Sequence, residues 1–338
     1  MHRILMLVAI AAGLLMASLS VHATGDTVIG GKMYFDMSHL SQKLNGVPTS
    51  KDGSGLDVKR FYFSVTHRFD DIWSVNLTTD FNYVSSDQQT NLFVKKAYLQ
   101  GYFSKMAVLR VGTTDMPWIP FAEHMYGYRF VENTIIDRLH YGNSADWGVH
   151  MLGKGDNDIF NYQVSLVNGG GYKHPNRTRG MDFAGRVGFQ PIQGLMLALG
   201  VYSGKLGKDT QTAPARHTTQ RYDALLAYHN SRFRIGGEYF NARNWNNINT
   251  IATDRADGYS VYGNINLHRG MAVFARYDKT NLSKTIDPSL QDTYYNAGVS
   301  QVLTKGLILA LVYKHDNRQS NTSQLKSDEI GVWGQVKF

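Results

Sequence analysis

From residue 24 onward the chain alternates apolar and polar side chains in segments of about ten residues, the period of a β-strand whose two faces meet different surroundings. Arg60 to Phe69 shows the pattern: Phe61, Phe63, Val65 and Phe69 share one face, and Arg60, Tyr62, Ser64, Thr66 and Arg68 share the other. A soluble core strand has to hide its polar set, whereas a strand between lipid and a wet lumen has a place for both. The pattern returns at Phe183/Gly185/Val187/Phe189 against Asp182/Arg186, at Phe233/Ile235/Gly237/Tyr239 against Arg234/Glu238, and at Met271/Val273/Ala275/Tyr277 against Arg276/Asp278.

Read in this way, the sequence predicts sixteen strands, near 28–37, 57–68, 72–84, 91–103, 106–112, 145–153, 158–168, 180–190, 194–203, 219–229, 231–241, 256–267, 271–280, 291–303, 306–316 and 326–338. Tight turns are expected at Asp70-Asp71, Ser104-Lys105, Lys154–Asn157, Pro191–Gln193, Asn230-Ser231, His268–Gly270 and Thr304-Lys305, with longer loops between them. Seven short turns alternating with eight long loops describe an all-β fold: a transmembrane antiparallel β-barrel of about 16 strands with both ends in the periplasm. A soluble β-sandwich has no need of that strict alternation. The closing segment Ile330 to Phe338 sets Ile330, Val332, Val336 and Phe338 on one face, and pairs such as Tyr34-Phe35, Tyr102-Phe103, Tyr239-Phe240 and Tyr294-Tyr295 fall where interfacial girdles would lie.

The first 23 residues read differently. A basic Met1-His2-Arg3, an apolar run from Ile4 to about Leu19 and a small-residue Val21-His22-Ala23 form a secretory signal peptide pattern, leaving 24–338 as a single outer-membrane barrel domain. Beyond it, no stretch reaches the ~20 apolar residues of a membrane-spanning helix. Composition agrees with a barrel: 18% charged and 12% aromatic residues, 20 Tyr, 33 Gly and only 7 Pro. The absence of Cys excludes disulfides, Cys-zinc sites and iron–sulfur clusters within the chain.

Sixteen strands enclose an aqueous bore, where eight would be filled by their own side chains. The expected function is then passive diffusion of small hydrophilic solutes, with selectivity set by what faces inward. Alternation places Arg60, Arg68, Lys96, Arg110, Arg186, Arg221, Arg234 and Arg276 in the lumen against Asp182, Asp223, Glu238 and Asp278. This surplus, together with the formal net charge of +8, favours anions, and the guanidinium fork suits phosphate-like oxyanions. Pairing of Arg186 with Asp182, Arg234 with Glu238 and Arg276 with Asp278 would weaken the preference.

Residues 113–143 form a long connection without strand alternation, rich in Pro117, Trp118, Pro120, Phe121, Tyr126, Tyr128, Phe130 and Tyr141. Long loops of this kind are usually functional. This third external loop is expected to fold inward and set the narrowest passage, with aromatics such as Trp118 anchoring it and Glu123, His124, Arg129, Glu132, Asp137, Arg138 and His140 meeting the solute. An external cap or a trimer latch is the alternative. Its acids, Asp115, Glu123, Glu132 and Asp137, outnumber its two Arg and favour weaker selectivity or a cation- or sugar-passing channel.

From about Phe93 to Gly169 the chain resembles the phosphate-selective porin O and P family of outer-membrane channels. The resemblance rests on Lys96-Ala97-Tyr98-Leu99, Leu109-Arg110-Val111-Gly112, Pro120-Phe121, Tyr128-Arg129-Phe130-Val131-Glu132, Trp147-Gly148-Val149, Phe160-Asn161-Tyr162 and Val167-Asn168-Gly169, about a quarter of the chain. It implies a homotrimer of sixteen-stranded barrels amid outer-membrane lipid and lipopolysaccharide, an inward third loop, and Arg and Lys side chains that bind small inorganic or organic anions. Arg110 and Arg129 fall within the matching stretches.

No enzyme is expected. Histidines are scattered singly, and Gly169-Gly170-Gly171 lacks the Lys-Ser/Thr of a phosphate-cradling loop. His124 and His140 beside Glu123 and Asp137 read as a solvated loop before a metal site, and neither a cofactor nor nucleic acid is implied. A non-conducting structural barrel remains the second class, distinguished by a sealed lumen.

Overall fold

The computed structural model describes residues 25–84 and 89–338, so the expected signal peptide at 1–23 lies outside the described residues. Sixteen strands form the wall: β1 (Thr27–Leu44), β2 (Gly53–Arg68), β3 (Trp73–Val84), β4 (Gln89–Ser104), β5 (Ala107–Asp115), β6 (Ala145–Lys154), β7 (Phe160–Val167), β8 (Asp182–Ile192), β9 (Leu195–Gly204), β10 (Thr219–His229), β11 (Phe233–Arg243), β12 (Arg255–Asn266), β13 (Met271–Asn281), β14 (Gln291–Thr304), β15 (Leu307–Gln319) and β16 (Gln324–Lys337). Each pairs antiparallel with its chain neighbours, and β1 pairs with β16 from Lys32↔Lys337 to Leu44↔Leu325, which closes the sheet. Closure leaves no unpaired edge, the condition a β-sheet must meet inside a bilayer. The outward faces carry exposed Phe183, Leu199, Ile235, Val261 and Leu311 among many others, and the inward faces bury Asp278, Asp292 and Asn296. This inversion of a soluble protein marks a lipid-facing wall.

The short turns lie at one end and the longer loops at the other, as the alternation predicts. One difference concerns wall height. β1 has 18 residues and β2 and β4 have 16, whereas β5, β6 and β7 have 9, 10 and 8. A short bridge, Val47–Pro48, continues the β1 hairpin above the wall.

Three register shifts lie beside turns, at Tyr102/Ser104, Leu195/Leu197 and Val302/Thr304, and two lie within the wall. Between β1 and β2 the register shifts at Tyr34/Phe35, leaving Lys59 as the extra residue. Between β3 and β4 it shifts at Thr78/Thr79, so that Thr78 faces Lys96, Thr79 faces Val94, and Lys95 is extra. A bulge residue resets which parity faces inward. Lys95 and Lys96 consequently both meet the lumen.

The long loop, 116–144, turns into the barrel. It begins with helix α1 (Ile119–Tyr126), which has a Pro in its first turn and ends at Gly127 in the left-handed conformation (φ 82°). A single turn, α2 (Ile135–Arg138), follows. Packing of this loop against the wall makes two apolar clusters. Trp118, Ile119, Ile135, Ile136 and Tyr141 pack with Tyr202, Leu225, Phe240 and Trp245. Further along, Phe130 and Val131 pack with Tyr34, Phe274, Val312 and Trp333.

Candidate functional site

The loop is tied to the wall by polar bonds as well as by apolar packing. Trp118 donates its indole N–H to Glu238 at 2.6 Å. Arg186 donates from Nε to the Pro117 carbonyl at 2.8 Å, and its guanidinium lies 3.9 Å over the Phe121 ring. Arg221 pairs with Asp223 at 2.8 Å and donates to the Tyr141 carbonyl. Arg276 pairs with Asp278 at 2.6 Å and donates to the Asn133 carbonyl at 2.5 Å. From the loop itself, Arg138 reaches Asp292 at 2.6 Å, Asp316 at 3.2 Å and Asp278 at 3.4 Å. Lys314 meets Glu132 at 3.3 Å, and the Tyr128 ring stacks on Phe274 with centroids 4.0 Å apart.

These contacts correct part of the sequence reading. Arg186, Arg221 and Arg276 do point inward, yet they are 9%, 5% and 3% exposed because the loop covers them. They hold loop carbonyls and are not solute-facing. Arg138, expected to meet solute, is closed off by three carboxylates. Of the expected wall pairs only Arg276–Asp278 forms. Asp182 instead accepts from the Tyr202 hydroxyl and the Lys205 and Leu206 amides, and Glu238 takes Trp118.

What the loop leaves open is a cavity of about 630 Å³ between its own Pro120, Glu123, His124 and Arg129 and the inner faces of β1 to β4. On the wall side stand Lys32, Lys95 and Lys96, with Tyr34, Tyr62 and Thr78 between them. Lys96 pairs with Asp115 at 2.5 Å. Lys95 has no acid partner among the described residues; its ammonium takes the Tyr62 hydroxyl at 3.2 Å and lies 4.6 Å over that ring. Lys32 also lacks an ion pair among the described residues and stands directly across the β1–β16 ladder from Lys337, an arrangement that concentrates positive charge.

On the loop side Arg129 pairs with Glu123 and, at 3.5 Å, with Asp137. His124 faces the cavity, and its pKa is lowered, first by burial and then by Arg234 nearby. Arg234 has no acid partner among the described residues. It approaches Gly127 so closely that a Cβ there would fall 1.6 Å from its Nη1. Towards the loop end Arg60 pairs with Asp80 at 3.3 Å, and Tyr172 donates to the same carboxylate at 3.0 Å.

The remaining residues expected at the site are spread out. Arg110 donates to Gln100 at 2.9 Å and lies 4.8 Å from the centre of the Tyr98 ring. Arg68 is exposed at the turn end of β2, and His140 is exposed on the loop, its carbonyl accepting from Trp245. Lys95 and Lys32 escaped the sequence reading, Lys95 because strict alternation from Lys96 turns it outward.

Comparison with solved structures places this arrangement. The outer-membrane channel DcaP of Acinetobacter baumannii superposes with a TM-score of 0.67 at 12% identity, covering 96% of this chain and 100% of that one. The chain has the fold of outer-membrane porins. An anion-selective porin from Comamonas acidovorans is similar at a TM-score of 0.66 and 13% identity, covering 93% of this chain and all of that one. A trimer form of OmpT of Vibrio cholerae aligns at 0.60 and 12% identity, covering 93% of this chain and 99% of that one. No family model and no curated protein sequence matches the chain.

Proposed function

We propose that the protein is an outer-membrane channel for passive diffusion of small hydrophilic solutes, with a preference for anions. One observation carries the preference: of the six cations at the passage, Lys96 pairs with Asp115, Arg60 with Asp80 and Arg129 with both Glu123 and Asp137, while Lys32, Lys95 and Arg234 have no acid partner among the described residues, so cations outnumber side-chain acids six to four. A cation entering the passage meets acids already engaged in ion pairs, whereas an anion finds donors that can replace part of its hydration shell. The wall cations also answer the acidic count of the loop, because each of its carboxylates lies in an ion pair: Asp115 with Lys96, Glu132 with Lys314, and Glu123 and Asp137 with Arg129.

Small inorganic or organic anions, phosphate-like oxyanions among them, fit this donor set. A homotrimer is the assembly we infer, supported by the trimer form of the Vibrio cholerae neighbour. The test is single-channel recording of purified protein in a planar bilayer under a KCl gradient. Stepwise openings with an anion-selective reversal potential are expected. Cation selectivity would overturn the charge argument and leave the channel, and absence of conductance would leave a structural barrel.

A further inference from the structure

The outward face carries an arrangement that the channel does not use. Tyrosines at matching height ring the loop-end half of the wall from β11 to β15. Tyr239 stands opposite Tyr259 and Tyr277 opposite Tyr295, with ring centroids 6.3 Å apart for Tyr259–Tyr277 and 6.2 Å for Tyr295–Tyr313. Such a row marks the level at which hydrocarbon gives way to headgroups.

Four residues beyond Tyr239 and Tyr259 along their strands come Arg243 and Arg255. They are paired directly across the β11–β12 ladder, and both are exposed. Strand rise and barrel tilt lift them roughly 10 Å above the tyrosines. Two like charges facing each other on adjacent strands are unfavourable unless something negative lies between them. Neither guanidinium forms an ion pair among the described residues. Lys284, on the loop that follows β13, adjoins Arg255, donating its backbone amide to the Arg255 carbonyl at 2.8 Å. The two acids of this patch are occupied, Asp257 by Lys284 and the Asn281 amide, and Asp254 by the backbone amides of Arg255 and Thr285. The other loop-end cluster, on β15 and β16, differs: there His315 at 2.7 Å and Lys326 at 3.7 Å share Asp328.

We propose that Arg243 and Arg255, with Lys284 beside them, bind a phosphate group of an anionic outer-leaflet lipid whose acyl chains lie against the apolar wall below. The chemistry selects this occupant. Paired guanidinium forks match phosphate oxygens bidentately, and the charge sits at headgroup height above a lipid-facing surface. An anion in the channel cannot reach the site, which is on the opposite face of the sheet.

The experiment uses the purified full barrel in detergent, with native mass spectrometry of retained lipid and lipid titration as readouts. The probes are bisphosphorylated lipid A and the same lipid with both phosphates removed. The wild type should retain the phosphorylated form, and Arg243→Gln with Arg255→Gln should weaken retention about tenfold, the effect of one lost charge-assisted contact pair. Arg232→Gln at the turn end should have no effect. Unchanged conductance of the double variant would show that the barrel has folded and that lipid binding is separate from transport. Arg243→Lys with Arg255→Lys, which keeps charge without the fork, should bind at an intermediate level. Equal retention of the dephosphorylated lipid, wild-type retention by the double glutamine variant, or displacement by inorganic phosphate at millimolar concentration would each overturn the proposal.

Discussion

Arg138 on the inserted loop and Asp292 on β14 meet at 2.6 Å, with the carboxylate fully buried and the guanidinium 8% exposed. Asp278 and Asp316 share the same guanidinium, so one cation bridges acids on three strands, with Arg276 also on Asp278 and Arg318 also on Asp292. Removing one partner of a buried pair typically costs about 3–5 kcal/mol, since the other charge stays behind. Arg138→Met should lower the melting temperature and give larger, noisier single-channel currents as the loop detaches. Wild-type current noise at unchanged stability would show that the apolar clusters alone hold the loop.

Selectivity should follow the two adjacent lysines. Replacing both Lys95 and Lys96 by Gln removes the unpaired ammonium and frees Asp115. The ratio of anion to cation permeability should then fall by about a factor of three or more, with barrel stability unchanged. Reversal potentials under a salt gradient measure this directly.

The opposite change lies on the loop. Glu123→Gln releases Arg129 from its nearer acid and leaves it to Asp137 at 3.5 Å. Anion preference should rise. A fall would mean that the Glu123 carboxylate serves only to position Arg129.

Acid should act on this passage through His124. Burial first, and Arg234 second, hold its pKa below the ordinary value of 6.5, so the ring is neutral at pH 7. Protonation below that value adds a cation to the passage, so anion selectivity should increase as pH falls below 6.5, and His124→Ala should flatten the response. Because the folded state disfavours the charged ring, the same titration costs a little stability on the acid side.

Glu132 has the reverse sign. Burial raises its pKa, but Lys314 and the Asn133 amide outweigh burial and bring it from 4.5 down to about 2. The stability it contributes is complete above about pH 4.5 and is lost as pH falls towards 2. Thermal melts between pH 6 and pH 2 should show this loss in the wild type and not in Glu132→Gln.

The strands were legible because lipid and water impose period two on every segment, and β6, expected at 145–153, runs Ala145–Lys154. What escaped was whatever depends on distant parts meeting. Lys95 points inward only because β4 carries one more residue than β3 at that place, an offset that strict alternation does not reveal. Arg186 and Arg234 have the same local pattern, each inward on a strand rich in apolar residues. The loop covers Arg186 and leaves Arg234 on the passage, a difference set by where residues 116–144 come to rest and by nothing adjacent in sequence.

The resting place of that loop also divides the cylinder mechanically. From β8 round to β16 the wall is backed from within by packed aromatic and aliphatic side chains, much as a sheet is backed by helices in a water-soluble enzyme. From β2 to β4 the inner face borders the passage with polar side chains such as Asn76, Thr78 and Lys95 in place of an apolar layer, and ladder hydrogen bonds largely carry the shape. One half of the tube is a stiff buttress, the other a compliant panel. Amide exchange should be slowest on the buttressed half, and any breathing that admits a bulky solute should be a flexing of the panel that bears Lys95 and Lys96.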